Sequence, residues 1–150
     1  MHNSIALRLA SEADCRLLYD WRNDPITIAM SLVSEPVPWD DHVRWFSSVL
    51  TNPSRHLLVA SDGTESFGTI RFDEIDDTAE ISITVSPEKR GQGVGGILLD
   101  LADSWAKQEL GLDRIVARIK ESNPASIALF SKSGYTVKER GEVLSLEKYL

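Results

Sequence analysis

Residues 85–96 read VSPEKRGQGVGG, two adjacent cations and then four glycines in six positions. Glycines let main-chain N–H groups approach a ligand closely, and a helix N-terminus carries partial positive charge. Set between an apolar strand pattern and an apolar helical run, this stretch describes an anion-binding turn, and phosphate is the natural anion. A bare connection of that composition would cost backbone entropy with nothing to offset it.

Spacing narrows the choice of phosphate. A Walker A loop ends in Gly-Lys-Ser/Thr, whereas Gly95-Gly96-Ile97 supplies neither lysine nor hydroxyl. Gly91, Gly93 and Gly96 match G-x-G-x-x-G literally. A dinucleotide fold, however, runs its strand almost directly into the first glycine, and here Ser86 to Arg90 intervene. The third pattern is Arg90-x-x-Gly93-x-Gly95, a loop with a cationic flank that would wrap a pyrophosphate.

A proton acceptor stands just upstream. In AEISITV the residues Ile81, Ile83 and Val85 take one strand face, leaving Glu80, Ser82 and Thr84 on the other. A carboxylate there can take a proton from an attacking nucleophile, or it can be a solvated strand charge paired with Arg71 across the hairpin. His2, His42 and His56 lack metal-ligand spacing, and no metal is expected. Cys15, the single cysteine, has no disulfide partner in the chain and reads as a packed helical thiol beside Arg16, Leu17 and Leu18.

The elements that would carry these residues follow from periodicity. SIALRLA alternates as a strand, and Ser11 with Asp14 opens a helix through Trp21 that Asn23-Asp24-Pro25 breaks. A short apolar stretch covers Ile26 to Met30, and Asp40–Asp41 start a second helix with His42, Trp45, Phe46 and Val49. HLLVA, FGTIRFDEI and AEISITV, joined by short polar turns, read as an antiparallel meander. After the glycine loop, Val94, Leu98, Leu101 and Trp105 recur at helical spacing up to Gly111. RIVARI is a strand, Pro124 to Lys132 a helix, and YTVKER with VLSLEKYL a closing hairpin. The order β-α-α-βββ-α-β-α-ββ describes one mixed α/β domain over residues 1–150.

The composition agrees with an ordinary globular chain of 150 residues, 42% hydrophobic and 26% charged. The net charge of −7 speaks against nucleic acid and anionic membranes as partners, since both need a basic face. With no apolar run of signal or transmembrane length, a cytoplasmic protein is expected.

The glycine loop, followed by NPASIALFSKSGY, resembles the GNAT N-acetyltransferases. Arg90-x-x-Gly93-x-Gly95 is similar to their acetyl-CoA loop, and Asn123, Ser126, Leu129–Phe130, Gly134 and Tyr135 are similar to their second motif. The resemblance implies a mainly antiparallel central sheet, splayed in the middle and flanked by helices. It implies acetyl-CoA as donor, with Val85 and Ser86 binding pantetheine through backbone groups. Arg90, Gly91, Gln92, Gly93, Val94, Gly95 and Gly96 would bind pyrophosphate, with Asn123, Ser126 and Phe130 completing the cofactor contacts. Asn123 also suits plain helix capping before Pro124. Glu80 would be the general base for the amine. Phe130 stands where the family usually has a tyrosine as leaving-group acid, which leaves Tyr135, Tyr19 or water for that step.

The first helices carry the acceptor in this family. Trp21, Arg22 and Asn23, then the W-x-x-H-x-x-W-F pattern of Trp39 to Phe46, resemble the branch that acetylates a nucleotide-linked amino sugar in pseudaminic acid synthesis. Indoles stack on sugar or uracil faces, and Arg22, with Arg44 and Arg71, would reverse the acidic field for an anionic acceptor. The alternatives are a ribosomal-protein-type N-terminal acetyltransferase and a non-catalytic acyl-CoA-binding module. A homodimer is compatible with any of these.

Overall fold

The structure is a computed structural model that describes residues 4–150, so His2 lies outside the described residues. Strand β1 (Ala6–Leu9) leads through a 3-10 turn to helices α1 (Cys15–Arg22), α2 (Pro25–Met30) and α3 (Trp39–Thr51). Strands β2 (Arg55–Ser61), β3 (Ser66–Ile75) and β4 (Thr78–Val85) follow as the expected meander. Helix α4 (Val94–Leu110), β5 (Arg114–Lys120), α5 (Pro124–Lys132), β6 (Thr136–Glu139) and β7 (Val143–Tyr149) complete the chain.

The strands form one seven-stranded sheet in the order β1-β2-β3-β4-β5-β7-β6. Alternation gives each face its own helices. Leu58, Ile70, Phe72, Ile81, Ile115 and Leu146 pack against Leu98, Leu99 and Ala102 of α4 and Phe130 of α5. Leu57 and Val59 point the other way, onto Leu18 and Trp21 of α1 and Phe46 and Val49 of α3. Glu80, Ser82 and Thr84 share that second face, because Ile81 belongs to the first.

All neighbouring pairs are antiparallel except β4 with β5, whose register holds only at Ala79↔Ile115 and Glu80↔Val116. Past that point β4 runs on to Val85 and β5 to Lys120 without a shared ladder. The sheet is therefore splayed where the expected wedge should be, directly ahead of the glycine loop. One element was not anticipated. The stretch Ile26 to Met30 is the short helix α2, capped by Asp24, whose side chain accepts from the Ile26 and Thr27 amides, with Pro25 at its first position.

Candidate active site

The main chain at the end of β4 is divided between two edges. The Ser86 amide donates to Phe67 O at 2.8 Å, and the Ser86 carbonyl accepts from the Lys89 amide at 2.9 Å. Ser86 is thus tied into the β3 ladder and the following turn, which corrects its expected role as a pantetheine partner. Antiparallel pairing alternates, so Val85 turns its own N–H and C=O to the opposite edge, into the splay. Val85 keeps the geometry expected of it.

The loop then bends through Gly91 and Gly93, both with positive φ of 74° and 77°. Gly93 is the N-cap of α4, so no side chain competes for the amides of the helix's first turn. A Cβ added at Gly91, Gly93 or Gly96 would meet nothing within 4 Å, and Val94 anchors the helix start in the core. Gly95 differs, because its Cβ would lie 2.7 Å from Leu129 Cδ2. Its Cα face packs between α4 and α5, while its amide stays in the first turn of α4. The Arg90 side chain also turns elsewhere: its Nη2 donates to Asp24 Oδ2 at 2.5 Å and to Thr27 Oγ1 at 2.9 Å. Gln92 folds back onto Glu88 O at 3.1 Å. What the loop presents to an anion is main chain.

The second motif is mostly structural. Asn123 Oδ1 accepts from the Ser126 amide at 3.2 Å and caps α5, the plainer of its two expected roles. Phe130 is 4% exposed and packs edge-on to Tyr135, with centroids 4.9 Å apart, so it belongs to the core and not to a ligand surface. The Tyr135 hydroxyl is enclosed, with no hydrogen-bond partner among the described residues. Burial, and then the charge of Asp103, push that phenol well above its ordinary value. A proton so held is a poor choice for a leaving thiolate. Tyr19 packs at right angles to Trp39 on the α1–α3 side, 5.0 Å between centroids.

On the opposite sheet face, Glu80 meets Arg118 of β5, with Nε 2.6 Å from Oε1 and Nη2 3.5 Å from Oε2. The expected partner Arg71 is engaged instead with Asp73, at 3.0 Å, and with Ser82. Glu80 stands at the last rung before the splay, its carboxylate aligned by a guanidinium that is itself half exposed.

The residues expected to meet the acceptor divide. Trp21 is buried with Phe46 and Val49 in the core beneath the sheet, and cannot stack on a ligand. Asn23 clamps the following loop, accepting from the Val37 amide at 2.7 Å and donating to Val37 O at 3.1 Å and Tyr19 O at 3.2 Å. Arg44 is exposed and pairs with Asp41. Arg22 and Arg71 remain. Both guanidiniums lie on the Trp45 ring, 4.3 Å and 5.5 Å from its centroid. Among the described residues the polar partner of Arg22 is neutral: its Nη1 donates to His42 Nδ1 at 3.1 Å. His42 Nε2 in turn donates to Cys15 O at 2.8 Å. A carbonyl only accepts and an arginine only donates, so these two bonds define the tautomer. Burial, then the like charge of Arg71, lower the Arg22 pKa, yet a guanidinium stays charged at neutral pH. The site thus holds a half-buried cation whose charge no carboxylate among the described residues meets.

A model of the acetyltransferase (GNAT) domain matches residues 4–136. The chain belongs to the GNAT acetyltransferase family. GNAT enzymes take the acetyl group from acetyl-CoA and use no metal, so this is an acetyl-CoA-dependent N-acetyltransferase domain. It is 30% identical over 142 residues to an L-methionine sulfoximine/L-methionine sulfone acetyltransferase of Salmonella typhimurium, covering 89% of this chain and 81% of that one. Acetyltransferase PseH of Campylobacter jejuni is 20% identical over 125 residues, 83% of this chain and 78% of that one. An uncharacterized Methanocaldococcus jannaschii protein is 27% identical over 143 residues, and there the chain spans 29% of the relative's length. The GNAT fold superposes on the crystal structure of spermidine N-acetyltransferase from Vibrio cholerae in complex with CoA and spermine. That match has a TM-score of 0.85 at 18% identity and covers 97% and 95% of the two chains.

Several site residues were not visible in the sequence. Arg118 lies 38 positions from Glu80 and meets it only through the parallel register of β4 and β5. Asp24 and Thr27 look like ordinary helix-capping residues, and nothing local says that Arg90 reaches them. His42 was visible as a helix-face histidine, but its contact with Arg22 crosses from α3 to α1.

Proposed function

We propose that this enzyme transfers acetyl from acetyl-CoA to the primary amine of a small acceptor that also carries an anionic group. The observation that carries the reading is Arg22, half-buried beside Arg71 on the Trp45 ring with neutral His42 as its polar partner among the described residues. An unneutralised guanidinium, with Arg71 beside it already paired to Asp73, disfavours a polycation and favours a carboxylate or phosphate. Spermidine-like amines and basic protein N-termini are therefore poor candidates, although the chain's net charge of −7 would attract them.

Two acceptor classes carry an amine and an anion together. The relationship to enzymes named for L-methionine sulfoximine favours an amino acid or its analogue, in which the anion lies close to the amine. The nucleotide-linked amino sugar suggested by the aromatic pattern has weaker support: PseH is the more distant relative, and Trp21 and Asn23 are taken up by the fold. Trp39, 41% exposed, keeps a stacking surface for that second reading. Glu80, aligned by Arg118 at the mouth of the splay, is the group we assign as base, acting on the amine through water.

The test is turnover of acetyl-CoA with a panel holding L-methionine sulfone, phosphinothricin, a UDP-linked 4-amino sugar, spermidine and an N-terminal peptide. Acetylation confined to the anionic small amines is expected. Preference for spermidine or the peptide would overturn the assignment of Arg22 and Arg71.

A further inference from the structure

The two halves of the site are joined by one side chain. Arg90 belongs to the glycine loop, yet its Nη2 donates to Asp24 Oδ2 at 2.5 Å and to Thr27 Oγ1 at 2.9 Å. Asp24 follows Arg22 by two residues and caps α2, the same oxygen accepting from the Ile26 amide at 3.1 Å and the Thr27 amide at 3.2 Å. A second cation works from the other side of the splay: Lys120, at the end of β5, donates to Ala29 O at 3.2 Å and contacts Ser34. Helix α2 has no buried residue, and Ile26 is 58% exposed. Apolar burial therefore does little to place α2. Its position is set by polar contacts from the two strand ends that border the splay.

We infer that Asp24 is a positioning residue, through which the cofactor loop sets the placement of α2 and of Arg22 at the end of α1. The inference rests on residues 90–96 being the cofactor loop. An anion bound by the loop's amides fixes the main chain that carries Arg90, and Arg90 passes that order to Asp24 and Thr27. Each capture then favours the other, because the cation that reads the acceptor is held from the loop that reads the donor. Coupling of this kind is reciprocal and spans roughly 5- to 150-fold in affinity.

Asp24→Asn keeps the cap and takes the charge out of the link. Asparagine caps a helix as well as aspartate, so α2 keeps its N-cap while the charge that holds Arg90 is removed. Hydrogen exchange of residues 22–31 is measured with and without saturating coenzyme A, alongside calorimetric binding of coenzyme A. In the wild type, coenzyme A should slow exchange both at residues 91–97 and, by about tenfold, in α2. In Asp24→Asn the slowing at 91–97 and the affinity should persist while the slowing in α2 disappears. Thr27→Val, which keeps the side-chain shape and loses one of Arg90's two acceptors, should give an intermediate result. Equal slowing of α2 in wild type and Asp24→Asn would overturn the inference. So would a wild type in which coenzyme A protects the loop and leaves α2 unchanged. Absence of protection at 91–97 would instead overturn the cofactor-loop reading, and this inference with it.

Discussion

Gly95 and Leu129 occupy one another's space: α4 lies so close to α5 that a methyl on Gly95 would fall 2.7 Å from Leu129 Cδ2. Gly96, one position on, faces open space in ordinary helical backbone. Gly96→Asp should therefore fold normally and lose coenzyme A binding, since its carboxylate would stand where the phosphates are expected. Gly95→Asp should in addition lower the melting temperature, because the Leu129 methyl has to move aside. Unchanged calorimetric affinity in folded Gly96→Asp would remove the loop from the cofactor site.

Glu80→Gln tests the base. It keeps the shape of the side chain and one acceptor for Arg118. If the carboxylate takes the amine's proton, kcat should fall about 10²- to 10⁴-fold at neutral pH with acetyl-CoA affinity retained. Part of the loss should return at high pH, where the amine deprotonates unaided. A wild-type rate at neutral pH would leave Glu80 as a strand charge paired with Arg118.

Arg22→Ala should raise KM for an anionic acceptor roughly ten- to a hundredfold, the equivalent of about 1.5–3 kcal/mol for a lost charge-assisted pair. Affinity for acetyl-CoA without acceptor should stay within about twofold, because among the described residues the partners of Arg22 are His42 and Trp45 and not the glycine loop. Equal loss for both substrates would mean damage to α1 and not loss of an acceptor contact.

Tyr135→Phe removes a hydroxyl that has no partner among the described residues. Leaving a buried polar group unsatisfied costs about 1–3 kcal/mol, so the variant should melt at or above the wild-type temperature. Its kcat should be unchanged. A large drop in kcat in a fully folded variant would restore Tyr135 as the leaving-group acid.

His42 gives the pH dependence a sign. Burial lowers its pKa below the ordinary 6.5, and the charge of Arg22 adds to the lowering against the opposing hydrogen bond to Cys15 O. The unfolded chain then binds the proton more tightly than the folded one. The stabilising contribution is complete above pH 6.5 and is lost as pH falls from there through the lower folded value. Protonation at Nδ1 also turns an acceptor of the Arg22 N–H into a competing donor. Melting temperature should decline and acceptor KM should rise together below pH 6.5, and His42→Gln should flatten both profiles in that range.

The order of elements was legible because it rests on local signals. Alternation marked β2 to β4, and Gly111 and Pro124 bounded α4 and α5. Helix α2 escaped because six residues are too few to show a helical period, and the Asn-Asp-Pro before it reads equally as a break or as a cap with Pro at the first position. Trp21 was misassigned for a related reason. Its position on α1 was clear, but which face meets the sheet depends on Phe46 and Leu57, far along the chain. The cofactor loop was legible down to its glycines, yet their division into open and packing positions follows from the crossing of α4 and α5. Ion pairs such as Arg118 with Glu80 and Arg90 with Asp24 join distant elements, and no local rule supplies their register.

The two-rung contact between β4 and β5 bears on how the chain folds. Strands β2 to β4 close on themselves through sequential turns, with β1 brought back onto β2 across three helices, and β5 to β7 close through a hairpin and one helical excursion. Each group is a leaf built from nearby sequence. The rungs at Ala79 and Glu80 and the span of α4 are what staple one leaf to the other. Sequence-local leaves form early, and a seam of distant pairings forms late. The molecule should therefore open along that seam before either leaf melts, with the amides at the Ala79 and Glu80 rungs exchanging ahead of those in β2 and β3.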